Sequence, residues 1–150
     1  MAEKIRVLVS EEDVDRRIEE LGKQISEDYA GKQVHLICVL KGGVFFLCEL
    51  AKRITIPVSL DFMSVGSYGD GTQSSGIVKI TKDLDESLEG KEVLVVEDII
   101  DSGNTLYYLL DVLKKRGPKS MHLCTLLDKP DRREKDVKVD YVGNLLLLEI

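Results

Sequence analysis

The segment 93–106, VLVVEDIIDSGNTL, contains the residues of this chain that are best suited to bind a charged ligand. Its apolar part ends in two adjacent carboxylates, Glu97 and Asp98, and a turn of small polar residues follows at 101–105. Backbone N–H groups at a helix start, aided by hydroxyl groups, can bind a phosphate without any basic side chain. The two carboxylates would repel a phosphate but suit sugar hydroxyls or hydrated Mg²⁺, which prefers oxygen ligands. The pattern therefore predicts a sugar phosphate as the ligand.

A purely structural interpretation of the same residues stays open at this point. Acidic pairs near strand ends are often only solvated, and an Asp-Ser-Gly-Asn turn can do no more than cap a helix. Lys41 and Lys129, taken alone, are ordinary surface lysines. The sequence contains no G-x-x-x-x-G-K-[ST] phosphate loop, and no G-x-G-x-x-G follows a strand. These two nucleotide-binding motifs are thus excluded.

Hydrophobic periodicity places the polar segments between strands and helices. The predicted elements in chain order are a helix capped by Ser10 and ending near 31, a strand at 34–40, a helix at 44–53, strands at 58–63, 77–82 and 93–96, a helix from about 105 to Gly117, a strand at 121–127, an edge strand at 137–141 and a closing segment at 144–150. This alternation implies an α/β fold whose mostly parallel sheet has helices on both faces. Ligands of such sheets bind at the carboxyl ends of the strands. The junctions at 41–43, 97–105 and 128–129 are therefore predicted to converge on one crevice.

The segment 66–76, GSYGDGTQSSG, contains four glycines and three serines and almost nothing that could be buried. It is predicted to be a mobile loop between two strands, and its length and polarity suggest a lid over the site. A disordered connection is the alternative interpretation.

Composition restricts the classes of protein that this chain can represent. Its 150 residues are 43% hydrophobic and 32% charged, with a net charge of -6, which is typical of one soluble globular domain. The negative charge argues against a broad cationic face for nucleic acid, and no apolar run approaches the length of a membrane span. We expect a cytoplasmic protein in which Cys38, Cys48 and Cys124 are buried free thiols. His35 and His122 lie in apolar strands and are predicted to be core histidines with satisfied hydrogen bonds.

Several of these segments together resemble one family. VLVVEDIIDSGNTL resembles the phosphoribosyl diphosphate signature of type I phosphoribosyltransferases, specifically of the hypoxanthine-guanine branch. VLKGGVFF at 39–46 is similar to the diphosphate loop of that branch, and SYGDGTQSSGIVKI at 67–80 is similar to its flexible catalytic loop. LLDKP at 126–130 resembles the segment with its purine-contacting lysine. Order and spacing agree from about 5 to 143, which implies one phosphoribosyltransferase domain over residues 1–150.

The resemblance implies roles for individual residues around the ribose and the 5′-phosphate. Glu97 and Asp98 would bind the ribose hydroxyls and the Mg²⁺ held there. The phosphate would be bound by the turn that consists of Asp101, Ser102, Gly103, Asn104 and Thr105. Asp101 would also accept a proton near purine N7 as the base attacks.

The resemblance further implies contacts to the diphosphate and the base. Leu40, Lys41 and Gly42 would meet the diphosphate through a Leu40–Lys41 peptide that the family often holds cis. Ser67 and Tyr68 would close over the reacting diphosphate, and Arg133 is a further candidate for contacting it. Two residues, Lys129 and Ile99, would contact the base, the first by donating to the 6-oxo group and the second by packing on a face.

The function implied is a purine salvage enzyme that makes IMP or GMP from hypoxanthine or guanine and phosphoribosyl diphosphate, with Mg²⁺ as cofactor. No covalent enzyme intermediate is needed, so no cysteine or serine has to act as a nucleophile. The partners are phosphoribosyl diphosphate, a 6-oxopurine base and the purine nucleotide, and the family suggests a homo-oligomer, a dimer or a tetramer. A non-catalytic phosphoribosyl diphosphate or nucleotide-binding regulator of the same fold is the alternative, and an RNA-binding regulator is disfavoured by the net charge.

The chain departs from the family after Gly143. Relatives continue with a segment resembling IPDKFVVGYGLDY, which provides an aromatic that stacks on the purine, an aspartate that binds a second Mg²⁺, and an arginine for the diphosphate. Here the atypical residues 144–150 follow instead, which implies a reduced C-terminal hood. Loss of the stacking aromatic alone is expected to weaken purine binding by about 1–3 kcal/mol.

Overall fold

In the computed structural model, the described part of the chain comprises residues 9–67 and 78–145. The helices are α1 (Glu11–Asp28), α2 (Val44–Arg53) and α3 (Asn104–Lys114), and the strands are β1 (Val34–Val39), β2 (Val58–Ser67), β3 (Val78–Lys82), β4 (Glu92–Ile100), β5 (Ser120–Asp128) and β6 (Tyr141–Leu145). A short 3₁₀ turn, Pro130–Arg132, follows β5. The predicted N-cap is confirmed, because the Ser10 side chain accepts from the Asp13 N–H at 3.1 Å.

The strands form one six-stranded sheet in the order β3-β2-β1-β4-β5-β6. Only the β2–β3 pair is antiparallel, and the other four pairs are parallel. This confirms the predicted α/β fold with a mostly parallel sheet. Because β1 lies beside β4 and β4 beside β5, the carboxyl ends of these three strands meet at one edge of the sheet.

Both faces of the sheet are covered, as the near-continuous apolar runs of the central strands predict. Leu36 and Cys38 of β1 pack in a core with α1 and α2, whereas Ile37 packs in a second core with α3. The largest fully buried side chains of the first core include Leu21, Ile25, Leu47 and Leu50, and those of the second include Met63, Leu109, Leu113 and Leu123. The alternation of β1 side chains between the two cores fixes which way the polar residues at its end point.

Arg17 of α1 fastens the last described strand to the first helix. Its Nε donates to the Gly143 carbonyl at 2.8 Å and its Nη2 donates to the Val142 carbonyl at 2.6 Å. Gly143 itself leaves no room for a side chain, since a Cβ there would collide with the backbone carbonyl of Leu126 on β5. The strand β6 is therefore held by close backbone contact on one side and by a charged donor on the other.

Three predicted strand boundaries are displaced by four residues, whereas the other boundaries shift by about three or fewer. The strand β2 extends to Ser67, so the predicted loop starts two residues later than expected, and residues 68–76 of it lie outside the described part of the chain. The strand β4 extends to Ile100, so Glu97, Asp98 and Ile99 lie within the last part of the strand and not after its end. The predicted edge strand at 137–141 is wrong, because the strand begins only at Tyr141.

The segment before Tyr141 is held by single contacts instead of a strand ladder. Val137 is buried in the core beneath α3, and Asp140 receives the Leu123 N–H on its Oδ2 at 2.9 Å while its own N–H donates to the Leu123 carbonyl. Residues 144 and 145 of the closing segment belong to β6, and 146–150 lie outside the described residues.

Cys38 and Cys124 are buried free thiols as predicted, but the prediction is wrong for Cys48, which is exposed on α2. Among the described residues, no helix has the length and apolarity that crossing a bilayer requires. The cytoplasmic location and the single-domain boundaries stay predictions.

Candidate active site

A cavity of about 270 Å³ lies between the carboxyl end of β4 and the start of α3. Its lining consists of Val39, Glu97, Ile99, Ile100, Leu109 and every residue of the segment 101–106. The carboxylate and the polar turn that the sequence singled out therefore face one space, which is what a ligand with hydroxyl and phosphate groups requires.

The turn is built around Gly103, which adopts a left-handed conformation with φ of 80°. A Cβ at this position would lie 3.1 Å from both Arg133 Cδ and Val137 Cγ2, so space as well as backbone conformation favours glycine. The first helical residue after it is Asn104, and α3 has no side-chain cap at its N-terminus. The Asn104 N–H donates to Ser102 Oγ at 3.3 Å, and the next N–H groups of the first turn, which lack intrahelical partners, can bind an anion.

The outer side of the turn is held by residues that follow β5. The Ser102 carbonyl accepts from the N–H groups of Glu134 at 2.8 Å and Lys135 at 3.2 Å. The Asn104 side chain donates from Nδ2 to Glu134 Oε2 at 2.8 Å. These contacts leave the inner side of the turn open toward the cavity.

Arg133 connects this turn to the end of β5. Its Nη2 donates to Asp128 Oδ1 at 2.6 Å, and its Nη1 donates to the Asp101 carbonyl at 3.0 Å. Both side chains of the ion pair are largely buried, with 15% of Arg133 and 7% of Asp128 exposed. The guanidinium of Arg133 thus binds the Asp128 carboxylate and the Asp101 carbonyl, and its contact with diphosphate stays a prediction.

Glu97 and Asp98 stand at the end of β4 with contrasting surroundings. Burial, together with the charge of Asp98, raises the pKa of the Glu97 carboxyl to about 8. The Asp98 side chain accepts from the Ile99 N–H through Oδ1 at 2.8 Å. Two adjacent carboxylates that repel each other offer hard oxygen donors, so the pair fits a Mg²⁺ ion bound with ribose hydroxyls.

The loop between β1 and α2 reaches the same carboxylates. A Cβ on Gly42 would lie 3.5 Å from both Asp98 carboxylate oxygens, and one on Gly43 would lie 3.1 Å from Cys38 Sγ. The peptide between Leu40 and Lys41 is cis, which confirms what the resemblance implies. Lys41 is exposed beside this loop, where its ammonium group is accessible to an anionic ligand.

The remaining candidates lie around the same sheet edge. Lys129 is anchored by its N–H, which donates to the Ile100 carbonyl at 2.9 Å. The Ile99 side chain is 37% exposed. Asp101 is also exposed, and its Oδ1 lies 3.2 Å from Arg132 Nε. The backbone of Ser67 pairs with Val78 at the end of β2, whereas Tyr68 lies outside the described residues.

The structure shows supporting contacts that the sequence analysis did not predict, although it placed the 128–129 junction at the crevice. Asp128 and Glu134 hold Arg133 and Asn104, and through them the phosphate-binding turn. The only sequence signal for them is a cluster of charges after β5, which is also typical of a solvated turn. Glu134 contacts a residue 30 positions earlier, and the Arg133 that Asp128 holds reaches the Asp101 carbonyl 32 positions earlier, so neither role could be inferred from local pattern.

The comparisons with known proteins agree with this geometry. The family model of the phosphoribosyl transferase domain matches residues 9–147. The hypoxanthine-guanine phosphoribosyltransferase of Streptococcus thermophilus is 51% identical over 137 residues, which is 91% of this chain and 76% of the relative. The hypoxanthine phosphoribosyltransferase of Salmonella typhimurium is 48% identical over 145 residues, covering 95% and 82%.

A solved structure is similar over nearly the whole chain. The hypoxanthine-guanine phosphoribosyltransferase of Bacillus anthracis, with a HEPES molecule in its active site, superposes with a TM-score of 0.90 at 44% identity, covering 97% of this chain and 86% of that one. Sequence, sheet order and site residues lead to the same assignment. The chain belongs to the phosphoribosyl transferase family, in its hypoxanthine-guanine phosphoribosyltransferase branch.

Proposed function

We propose that this chain is a purine salvage enzyme that transfers the phosphoribosyl group of phosphoribosyl diphosphate to hypoxanthine or guanine, forming IMP or GMP and releasing diphosphate. The observation that carries the proposal is the placement of an open helix N-terminus beside two carboxylates and an exposed lysine loop at one sheet edge. The three features match the phosphate, the ribose and the diphosphate of one substrate.

Binding of the sugar phosphate follows from the turn and the strand end. The N–H groups at the start of α3 hold the 5′-phosphate, with the hydroxyls of Ser102 and Thr105 as further donors. Glu97 and Asp98 orient the ribose by accepting from its 2′- and 3′-hydroxyls. When bound to these carboxylates, Mg²⁺ supplies positive charge next to the departing diphosphate.

Charge develops in two places as the bond at ribose C1′ breaks, positive on the ring and negative on the diphosphate. Lys41 stabilises the diphosphate charge with its ammonium group and the loop N–H groups around Gly42. Ser67 and Tyr68 are proposed to cover this side and exclude water, which would otherwise hydrolyse the activated sugar.

The base is oriented by contacts on two sides. Lys129 donates to the 6-oxo oxygen, which distinguishes an oxopurine from adenine, and Ile99 packs against a base face. Asp101 accepts the proton that leaves N7 as the new glycosidic bond forms at N9. The carboxylate of Asp101 is exposed toward solvent, so it can pass this proton on to water.

The test is nucleotide formation from phosphoribosyl diphosphate and each of hypoxanthine, guanine, xanthine and adenine in the presence of Mg²⁺. We expect product from hypoxanthine or guanine. Product from adenine alone would contradict the assignment of Lys129, and stoichiometric ligand binding without turnover would support a regulator instead.

Asp101→Asn is expected to lower kcat by about 10²–10⁴-fold, the usual contribution of a general base, with little change in the affinity for phosphoribosyl diphosphate. The matched control is Asp111→Asn, which removes an exposed carboxylate further along α3 that pairs only with Lys115 among the described residues. Equal kcat values for the two variants would show that Asp101 has no role in catalysis.

We also propose that the enzyme is a homo-oligomer. An apolar side chain, Phe45, is 85% exposed at the first turn of α2, and Leu60 of β2 is 42% exposed. Such exposed apolar groups support association. Light scattering coupled to gel filtration distinguishes a dimer or a tetramer from a monomer.

A further inference from the structure

His35 carries an unsatisfied polar atom in the interior of the protein. It is the second residue of β1 and is only 2% exposed. Its Nδ1 lies 2.6 Å from Ser59 Oγ on the neighbouring strand, but its Nε2 has no hydrogen-bond partner among the described residues. The prediction that this histidine is fully satisfied is therefore wrong. Because a buried polar atom without a partner costs free energy, the neighbours of Nε2 indicate what could satisfy it.

Two carboxylates from different parts of the chain lie next to this imidazole. Asp61 Oδ2 is 4.0 Å from His35 Nε2, and Glu86 Oε2 is 3.8 Å from His35 Nδ1. Each residue offers one donor atom such that all three atoms lie within 4.8 Å of one another. Asp61 is buried on β2, whereas Glu86 lies in the β3–β4 connection with 55% of its side chain exposed.

The carboxylate of Asp61 can take another partner only in exchange for one of its present contacts. Phe62 N–H donates to Oδ1, Glu86 N–H donates to Oδ2, and the Asp85 N–H is shared between the two oxygens at 3.1 and 2.9 Å. A carboxylate has about four acceptor sites, so an ion at Oδ2 would replace the Asp85 contact there while that N–H keeps Oδ1. Oδ2 is the carboxylate oxygen nearest to the unpartnered nitrogen of His35.

The contact of Ser59 orients the imidazole for coordination. When Nδ1–H donates to the Ser59 hydroxyl, Nε2 presents its lone pair toward Asp61. A histidine that binds a metal through one nitrogen usually donates from the other, which fixes the ring and its tautomer.

We propose that His35, Asp61 and Glu86 form a second divalent-metal site, of the class that takes Zn²⁺, separate from Glu97 and Asp98. Zinc bonds to nitrogen and oxygen are each about 2.0–2.2 Å long. The 4.0 Å between Nε2 and Asp61 Oδ2 exceeds the roughly 3.4 Å that tetrahedral zinc requires between two ligand atoms, so the two side chains must approach each other by roughly 0.6 Å to bind one ion. Glu86 completes the set by swinging its exposed carboxylate toward Nε2, and a water takes the fourth position.

Imidazole with two carboxylates suits zinc better than magnesium, which prefers oxygen ligands alone. Lys91 competes with the ion for Glu86, because its Nζ lies 3.7 Å from Glu86 Oε2. This ion pair must break before Glu86 can bind the metal. His35 lies four residues before Val39, which ends β1 and lines the active-site cavity, or roughly 13 Å away at 3.3 Å per residue. The metal would thus tie the β3–β4 connection to the sheet at a distance from the substrate.

The experiment is calorimetric titration of the full chain with Zn²⁺ in excess Mg²⁺, which occupies Glu97 and Asp98. A Cys48→Ser background removes the exposed thiol as a competing ligand. Glu86→Gln is compared with Glu89→Gln, because both change an exposed glutamate of the same connection. We expect one equivalent of zinc for the background and for Glu89→Gln, at least tenfold weaker binding for Glu86→Gln, and a melting temperature that rises by several degrees only where zinc binds tightly.

Two further variants use the only other histidine in the chain as a control. His35→Gln should abolish binding and the visible absorption of Co²⁺ placed in the site, whereas His122→Gln should retain both. If His35→Gln fails to fold, the Glu86 comparison decides. Zinc binding weaker than about 100 μM, or equal binding by Glu86→Gln and Glu89→Gln, would overturn the site.

Discussion

Burial and the neighbouring charge of Asp98 act on Glu97 in the same direction, and both raise the pKa of its carboxyl to about 8. The unfolded chain loses this proton near pH 4.5, the ordinary pKa of a glutamate side chain. Between these two pH values the folded protein holds a proton that the unfolded chain has lost, so this group lowers the free energy of unfolding as pH rises through that window. At neutral pH the Glu97 carboxyl is therefore mostly protonated in the unliganded protein, and a Mg²⁺ ion that binds it must release this proton.

Glu97→Gln should reveal this cost as a stability difference that depends on pH. Without Mg²⁺, the melting temperature of the variant relative to the wild type is expected to rise as pH increases from 5 to 9, because glutamine needs no ionisation. Differential scanning calorimetry across this range measures the difference. A difference that stays constant with pH would show that Glu97 does not titrate in this window.

At the scale of elements, the junction between β4 and α3 depends on one glycine. Gly103 needs both a left-handed backbone and the absence of a Cβ, since Arg133 Cδ and Val137 Cγ2 would be 3.1 Å away. Gly90 has a similar φ of 74° with nothing within 4 Å, so it isolates the backbone contribution. Comparing the same substitution at the two glycines therefore separates the cost of backbone strain from the cost of close packing.

Gly103→Ala is expected to lower the free energy of unfolding by about 2–4 kcal/mol and to weaken IMP or GMP binding. The control Gly90→Ala should cost only about 1 kcal/mol and leave nucleotide binding unchanged. Urea unfolding and nucleotide titration measure both effects. Equal losses in the two variants would mean that the contacts of Gly103 with Arg133 and Val137 are unimportant.

Arg133 joins the phosphate-binding turn to the end of β5 through two separate contacts. Arg133→Lys keeps a positive charge next to the buried carboxylate of Asp128. The single ammonium group of lysine cannot also donate to the Asp101 carbonyl, as the planar guanidinium does. We expect stability within about 1 kcal/mol of wild type, since the ion pair survives, and several-fold weaker binding of phosphoribosyl diphosphate. Arg133→Met leaves Asp128 unpaired and should cost about 3 kcal/mol or more. Unchanged affinity in Arg133→Lys would show that the turn holds its shape without this contact.

At the scale of the molecule, local pattern predicted the parallel sheet and the crevice at its carboxyl edge. The carboxylates and the turn of β4 and α3 are adjacent in sequence, so their grouping needed no knowledge of distant contacts. The edge strand at 137–141 was wrong because Val137 is buried beneath α3, which its alternating pattern does not reveal. The partners of Arg133 and the unsatisfied Nε2 of His35 arise only when separate strands come together, and no spacing rule encodes them.

Arg17 offers a test of how the edge strand β6 is stabilised. Arg17→Met removes both donors to the Val142 and Gly143 carbonyls and is expected to lower the free energy of unfolding by about 2 kcal/mol. Arg16→Met is the matched control, because Arg16 is 65% exposed and pairs only with acidic side chains of the same helix among the described residues. It should change stability by less than about 0.5 kcal/mol. Urea denaturation that fails to separate the two variants would contradict this role for Arg17.

The same link has a consequence for synthesis on the ribosome. The carbonyls that receive Arg17 emerge more than a hundred residues after it, with separations of 125 and 126 positions. Until they arrive, the outer side of β5 presents unpaired backbone groups on which a foreign strand can dock. Weakening the Arg17 link should therefore appear first as aggregation of nascent chains at high expression, before any loss of turnover in the molecules that mature.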